Sequence, residues 1–253
     1  MGAKTKIQWT DATWNPITGC TKISAGCQNC YAERFAERFR GVKGHPFESG
    51  FDLMLRHDRI QQPLLWRNSR MVFVNSMSDL FHKDVPEGYI EKVFDTMEKA
   101  FWHNFQVLTK RSDLMRDFVS KRYKMRNVPH NIWLGVSIEG RQVISRVDHL
   151  RDTPAFIRFL SMEPLIGPVG NINLNDIHWV IVGGESGCGA RVMKHEWVTD
   201  IRDQCNNTGV AFFFKQWGGA QPKRNGRMLD GIEWSGFPAI PSVQPPLFSN
   251  TTS

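Results

Sequence analysis

The sequence predicts an α/β fold: a parallel (βα) barrel, complete or partial, of six to seven units in a single domain. Three observations predict it. Short apolar runs rich in β-branched and aromatic residues recur along the 253 residues. Amphipathic stretches fall between them. The spacing from run to run is about 25 to 35 residues, as in a strand–helix repeat.

The runs are 71–75 (MVFVN), 105–109 (FQVLT), 132–137 (IWLGVS), 157–161 (IRFLS), 179–183 (WVIVG) and 210–214 (VAFFF). Each is apolar almost throughout, the signature of parallel strands buried on both faces. A weaker seventh strand falls around 13–18, ahead of Cys20. Between the runs, 32–40 carries Phe35 and Phe39 one turn apart, with Gly41 placed as a stop. The stretch 87–102 puts Ile90, Val93, Phe94, Met97 and Phe101 on one face. Further helices are marked by Leu114, Met115 and Phe118, by Val143, Ile144, Val147 and Leu150, and by Trp197, Ile201 and Cys205. Six or seven such units suit a TIM-type barrel, or part of one, better than a short open sheet. Residues 44–70 lack a clear strand and read as an insertion. The domain is expected to span 1–237, with 238–253, rich in proline and serine, as a loose C-terminal tail.

The formal net charge is +7. A basic surplus favours acidic partners such as nucleic acid or phosphorylated substrates, or is simply a solvated surface. The cations are dispersed, so charge alone locates no site. No run of about 18 apolar residues is present, so no membrane span is expected. The N-terminal lysines are not followed by an apolar stretch, which argues against a secretory signal. A soluble, cytoplasmic protein is expected. Of five cysteines, three crowd together, and clustered thiols in a reducing compartment point to metal rather than disulfides.

In a parallel barrel the chemistry sits at the C-terminal ends of the strands. Here those ends read Asn75-Ser76-Met77-Ser78-Asp79, Thr109-Lys110-Arg111, Ser137-Ile138-Glu139, Ser161-Met162-Glu163, Gly183-Gly184-Glu185-Ser186-Gly187 and Lys215-Gln216-Trp217. Helix caps account for some of this polarity, notably Ser112 and Ser78 or Asp79. A charged residue just beyond most of the runs indicates a shared pocket. The glycines at 183 and 184 either let a ligand approach backbone N–H groups or serve a tight turn.

Cys20, Cys27 and Cys30 form a C-x6-C-x2-C motif flanked by Gly19, Thr21, Ser24 and Gly26. Thiolates select zinc or iron–sulfur clusters. A zinc site closes its tetrahedron with a fourth ligand, for which His45 or His57 is available. A 4Fe–4S cluster on three cysteines leaves one iron open. The small and hydroxylic neighbours, and the place of the motif after the first strand, favour the cluster.

The motif, the upstream W-x-P-x-x-G-C from Trp14 to Cys20, the LTKR segment ending at Arg111 and the GGESG segment together resemble the phage-associated three-cysteine-motif proteins, grouped with the radical S-adenosylmethionine (SAM) enzymes. The usual radical SAM spacing is C-x3-C-x2-C, so the first gap here is longer. The resemblance implies that Cys20, Cys27 and Cys30 hold three irons and that SAM chelates the fourth. An external reductant then drives cleavage of SAM to methionine and a 5′-deoxyadenosyl radical. It makes Ser76, Ser78 and Asp79 candidates for the SAM amino group, and Ser137, Glu139, Ser161 and Glu163 candidates for the ribose. Gly184 and Glu185 would serve SAM or substrate, and Lys110 and Arg111 the SAM carboxylate or an anionic substrate. Cys188 is either a hydrogen-atom donor or a bystander, and Tyr31 packs near adenine or in the core.

The leading expectation is radical modification or repair of a nucleotide or nucleic acid. The rival is a non-catalytic nucleic-acid-binding protein clipped by structural zinc or an iron–sulfur site. A radical enzyme acting on a peptide or small metabolite is a third reading, without a recognition domain to support it.

Overall fold

The computed structural model describes residue 5 and residues 7–239. Seven parallel strands form one curled sheet: β1 (Ala12–Trp14), β2 (Met71–Val74), β3 (Asn104–Thr109), β4 (Ile132–Ser137), β5 (Ile157–Met162), β6 (Trp179–Gly183) and β7 (Ala211–Gln216). Their spatial order is their chain order, each strand pairing parallel with the next, as successive βαβ units laid side by side produce. Among the described residues β1 and β7 are the sheet's two edges, so the barrel is partial. The predicted fold class and all six strong strands are found. The weak seventh is shorter than expected: Ala12–Trp14 joins the sheet, whereas Ile17–Thr18 pairs antiparallel with Met54–Leu55 of the 44–70 insertion.

Helix α1 (Tyr31–Glu37) packs Ala32 and Ala36 on Phe51 in a small cluster of its own, while α2 (Glu87–Lys99), α3 (Ser112–Arg122), α4 (Ser145–Arg151) and α5 (His195–Thr208) cover the outer face. Because strand side chains alternate, Val72, Val74, Phe105, Val107, Leu134, Val136, Leu160, Val180 and Phe214 all turn outward. There they meet Val93, Phe94, Met97, Met115, Val147, Ile201 and others in one large core. The opposite set turns inward: Trp9, Phe73, Trp133, Phe159, Trp179, Ile181 and Phe213 make a second cluster. Trp179 is its hub, with the rings of Trp9, Trp133 and Phe213 each 6.2 Å away in edge-to-face contact. This aromatic layer fills the lower part of the barrel and leaves the polar strand ends as a mouth.

Three sequence expectations change. Helix α2 ends at Lys99, so Phe101 lies past it and is exposed rather than in the core. Ser112 does not cap α3; its hydroxyl pairs with His149 Nδ1 at 2.9 Å. No helix follows Ser78 and Asp79 directly, and Asp79 instead accepts the Phe81 N–H at 3.0 Å in a tight turn. Residues 240–253 of the expected tail lie outside the described residues. No helix among the described residues is long and apolar enough to cross a membrane.

Candidate functional site

From the end of β1 the chain runs across the C-terminal rim of the sheet, carrying the three cysteines, before entering α1. It is tied to four strand ends in turn. At β2, Asn15 Oδ1 accepts the Met77 N–H at 2.9 Å and the Ser76 hydroxyl at 3.2 Å. Ser78 donates to Ile17 O at 2.8 Å, Gly19 N donates to Met77 O at 3.0 Å, and the Tyr31 hydroxyl donates to Ser76 O. Gly19 has φ +84°, and a Cβ there would lie 2.0 Å from Asp52 O. Only glycine fits at the entrance to the motif.

At β3, Arg111 is buried and reaches the motif directly. Its Nη1 donates to Cys20 Sγ at 3.5 Å and to Asp79 Oδ2 at 3.0 Å, and its Nη2 donates to Thr21 O at 3.0 Å. Asp79, also buried, is saturated by further donors: Thr109 Oγ1 at 2.7 Å, Lys110 N at 3.1 Å and Phe81 N. At β4, buried Glu139 accepts Gly26 N at 3.3 Å and Arg146 Nη1 at 2.8 Å. At β6, Glu185 accepts Asn29 Nδ2 at 2.9 Å, Arg191 N at 2.9 Å and the Arg191 guanidinium. Arg34 closes the ring, donating to Asn29 Oδ1 and to Cys188 O, each at 2.9 Å. Three candidate ligand-binding carboxylates thus hold the cysteine loop in place.

The thiols of Cys20, Cys27 and Cys30 are free and half-buried. Cys20 and Cys30 pack on Ala32, Ala36 and Phe51. Burial pushes the Cys20 thiol up, as do the charges of Asp79 and Cys27, while Arg111 opposes them. Among the described residues no three side chains are gathered closely enough to hold a metal ion, so the fit to an iron–sulfur cluster is one of donor chemistry: three soft ligands on one loop, an Arg111 N–H on one sulfur and the Ser24 hydroxyl 3.9 Å from Cys27 Sγ. The histidines of the zinc alternative are engaged elsewhere. His45 stacks on Phe39 at 3.8 Å, and its Nδ1 accepts Phe47 N at 3.1 Å. His57 meets the Tyr89 ring edge-on at 5.0 Å. Of the other cysteines, Cys205 is buried in the outer core, where desolvation pushes its thiol up to about 12. Cys188 is exposed.

Below the loop, alternation places Ser137, Glu139, Ser161, Glu163, Gly183 and Lys215 on the inner wall, with Lys110 on the neighbouring strand end. Lys215 Nζ pairs with Glu163 Oε2 at 2.5 Å, and Ser161 Oγ lies 3.3 Å from Glu163 Oε1. The wall is therefore hydroxylic and charged above the aromatic floor. Gly184 has a different role: its N–H donates to Gln216 O at 3.0 Å, and a Cβ would sit 2.0 Å from Trp217 O. Glycine at 184 answers the close approach of the chain just after β7.

Residues 4–238 match the family described as a protein of unknown function, DUF5131. The chain belongs to that family. No curated protein matches the sequence. In fold the chain is similar to a variant of spore photoproduct lyase, with a TM-score of 0.52 at 12% identity over 82% of this chain and 75% of that one. Two further spore photoproduct lyase structures align less closely. One is complexed with dinucleoside spore photoproduct (TM-score 0.49, 11% identity, 81% of this chain and 63% of that one). The other has AdoMet and dinucleoside spore photoproduct bound (TM-score 0.46, 12% identity, 72% and 58%). This DUF5131 chain thus spans 58% to 75% of the lyase chains it matches. At such identities the likeness is one of fold.

Sequence reasoning about this family member missed Asn29, Arg34, Arg146 and Arg191, which complete the clamps. Each is a single polar residue on a helix or loop, and no spacing marks it out before the strands curl. The clamp at β6 has a pH signature. Burial would raise the Glu185 carboxyl, but the Arg191 and Asn29 hydrogen bonds outweigh it and hold it down at about 2, from an ordinary 4.5. A group depressed on folding contributes stability that is full above its ordinary value and is lost as pH falls toward its folded value. Urea melts should therefore show wild type more stable than Glu185→Gln by a constant margin above about pH 5, shrinking between there and pH 2. A margin independent of pH would contradict an ionised Glu185.

Proposed function

We propose that the protein is a radical SAM-type enzyme acting in the reducing cytoplasm, its 4Fe–4S cluster held by Cys20, Cys27 and Cys30. The observation that carries the reading is the thiol loop itself. Three cysteines are carried over the mouth of a parallel half-barrel on a loop clamped at four strand ends. The motif's likeness to the phage-associated three-cysteine-motif proteins and the shared fold with spore photoproduct lyase support it.

When bound, the cluster would supply the electron for reductive cleavage of SAM. The chain's own residues divide into two groups. Arg111, Asp79, Glu139 and Glu185 position the loop and exclude water beneath it, while Ser76 and Ser78 secure its ends. Ser137, Ser161, the Glu163–Lys215 pair and Lys110 face the mouth. They offer a carboxylate and two cations to the amino and carboxylate groups of SAM. Gly184 lets the β7 strand end close on the site. The substrate proposed is a nucleotide or nucleic acid, to be modified or repaired, in keeping with the net charge of +7.

Anaerobic reconstitution with iron and sulfide, then dithionite reduction, should give a brown protein whose electron paramagnetic resonance spectrum changes when SAM is added. A cluster spectrum indifferent to SAM would favour a structural site. Colourless protein with one tightly bound zinc would support the non-catalytic rival.

A further inference from the structure

Helix α1 buries one face and leaves the other bare. Ala32 and Ala36 pack on Phe51, and Phe47 and Met77 close around them. The opposite side carries Tyr31, Phe35 and Arg38, which share a face because they lie one and two turns apart. Tyr31 is 57% exposed and Phe35 44%, so neither ring lies in the core. Both are nevertheless held in place. The Tyr31 hydroxyl donates to Ser76 O at the end of β2, which anchors that ring at the rim of the mouth. Phe35 meets Phe39 and Phe47 edge-on, with ring centroids 5.2 and 5.6 Å away.

The free charge beside these rings has one sign. Glu33 pairs with Lys22 at 2.8 Å, Glu37 and Asp52 share Arg40, and Glu48 Oε2 accepts Gly44 N at 2.9 Å. Among the described residues Arg38 and Lys43, both exposed, have no acidic partner. Arg34 donates to neutral oxygens, those of Asn29 and Cys188. Three cations thus stand among exposed rings, while the carboxylates of α1 and of the turn after it are engaged.

An apolar partner would gain nothing from these cations, and a duplex hides the faces of its bases. A single strand offers open bases and phosphates together. Tyr31 and Phe35 are set about 6 Å apart along the helix axis, nearly twice the duplex base step of about 3.4 Å, which suits bases drawn apart. With the acids engaged, no carboxylate is left to accept from a 2′-hydroxyl, which favours deoxyribose over ribose. We infer that the exposed face of α1 and the turn 41–47 bind single-stranded DNA and lead it to the mouth. Bases stack on Tyr31 and Phe35, and phosphates meet Arg34, Arg38 and Lys43. The inference rests on the nucleic-acid substrate proposed above and names its form.

Strand binding needs no metal, so fluorescence anisotropy of a labelled DNA strand of about 12 nucleotides, titrated with full-length protein, tests it directly. Wild type should bind the strand more tightly than its duplex. Phe35→Leu keeps apolar bulk against Phe39 and Phe47 but offers no face to a base, and should weaken binding about 5- to 100-fold. Phe35→Trp should bind as wild type does. Arg38→Gln combined with Lys43→Gln should flatten the slope of log affinity against log salt by about 1.4. Phe101→Leu, at an exposed ring on the opposite end of the barrel, should change nothing. Wild-type affinity in Phe35→Leu would overturn the inference and leave the rings to the apolar side chains of a protein partner. Equal affinity for the duplex would overturn it too, as would tighter binding of RNA of the same sequence. If no strand binds yet 5′-deoxyadenosine forms, this inference and the nucleic-acid substrate fail while the enzyme reading stands. If the strand binds but SAM stays intact, the enzyme reading fails and this inference stands.

Discussion

Replacing Cys27 with alanine is expected to abolish both the brown colour of the reconstituted protein and all formation of 5′-deoxyadenosine from SAM. Removal of one of three thiolates leaves two, too few to hold a four-iron cluster with an open iron. The fold should survive, because Cys27 is half-buried in a loop and contributes little to either core. Far-ultraviolet circular dichroism and the urea midpoint should therefore match wild type while bound iron falls to background. Cys205→Ala is the contrasting change. It opens a cavity in the outer core, at a cost of about 1–2 kcal/mol, and leaves iron content intact. Iron retained at wild-type level in Cys27→Ala would show that the ligand set is wrong.

The second large effect is structural. Asp79→Ala should destabilise the protein by about 3–5 kcal/mol, because it leaves the Arg111 guanidinium buried without its counter-charge. The pair is close, at 3.0 Å, and the side chains are 7% and 9% exposed, so solvent does not screen the loss. Three further donors, Thr109 Oγ1, Lys110 N and Phe81 N, would lose their acceptor with it. Asp117→Ala, which removes an exposed carboxylate from half-buried Arg116, should stay within about 0.5 kcal/mol of wild type. Urea unfolding of both variants measures the difference. Equal midpoints would mean that Arg111 finds another anion or becomes hydrated when Asp79 is gone.

The strands were legible because a sheet covered by helices outside and filled by aromatic rings inside needs apolar side chains on both faces. Trp179–Gly183 shows this well: every residue is buried, the alternate ones in different cores. Phe101 misled because periodicity continues past the point where the chain leaves the helix, and Lys99 ends α2 with nothing in the pattern to mark it. The cysteine motif was equally visible, since its spacing is local. The division of labour among the strand-end carboxylates was not. Glu139, Glu163 and Glu185 occupy like positions on successive strands. Their different tasks depend on Gly26, Lys215 and Asn29, which approach from 113, 52 and 156 residues away in the chain. The glycines at 183 and 184 show the same limit. Their sequence is equally compatible with ligand binding and with close packing, and only the position of Trp217 O assigns Gly184 to the latter.

The central claim is that the clamped thiol loop supports radical chemistry. The direct measurement is chromatographic detection of 5′-deoxyadenosine after SAM is added to anaerobically reconstituted, dithionite-reduced protein. It predicts a product that accumulates in wild type and is absent without dithionite and from Cys20→Ala, Cys27→Ala and Cys30→Ala. SAM left intact by a protein that carries its full complement of iron and sulfide would contradict it.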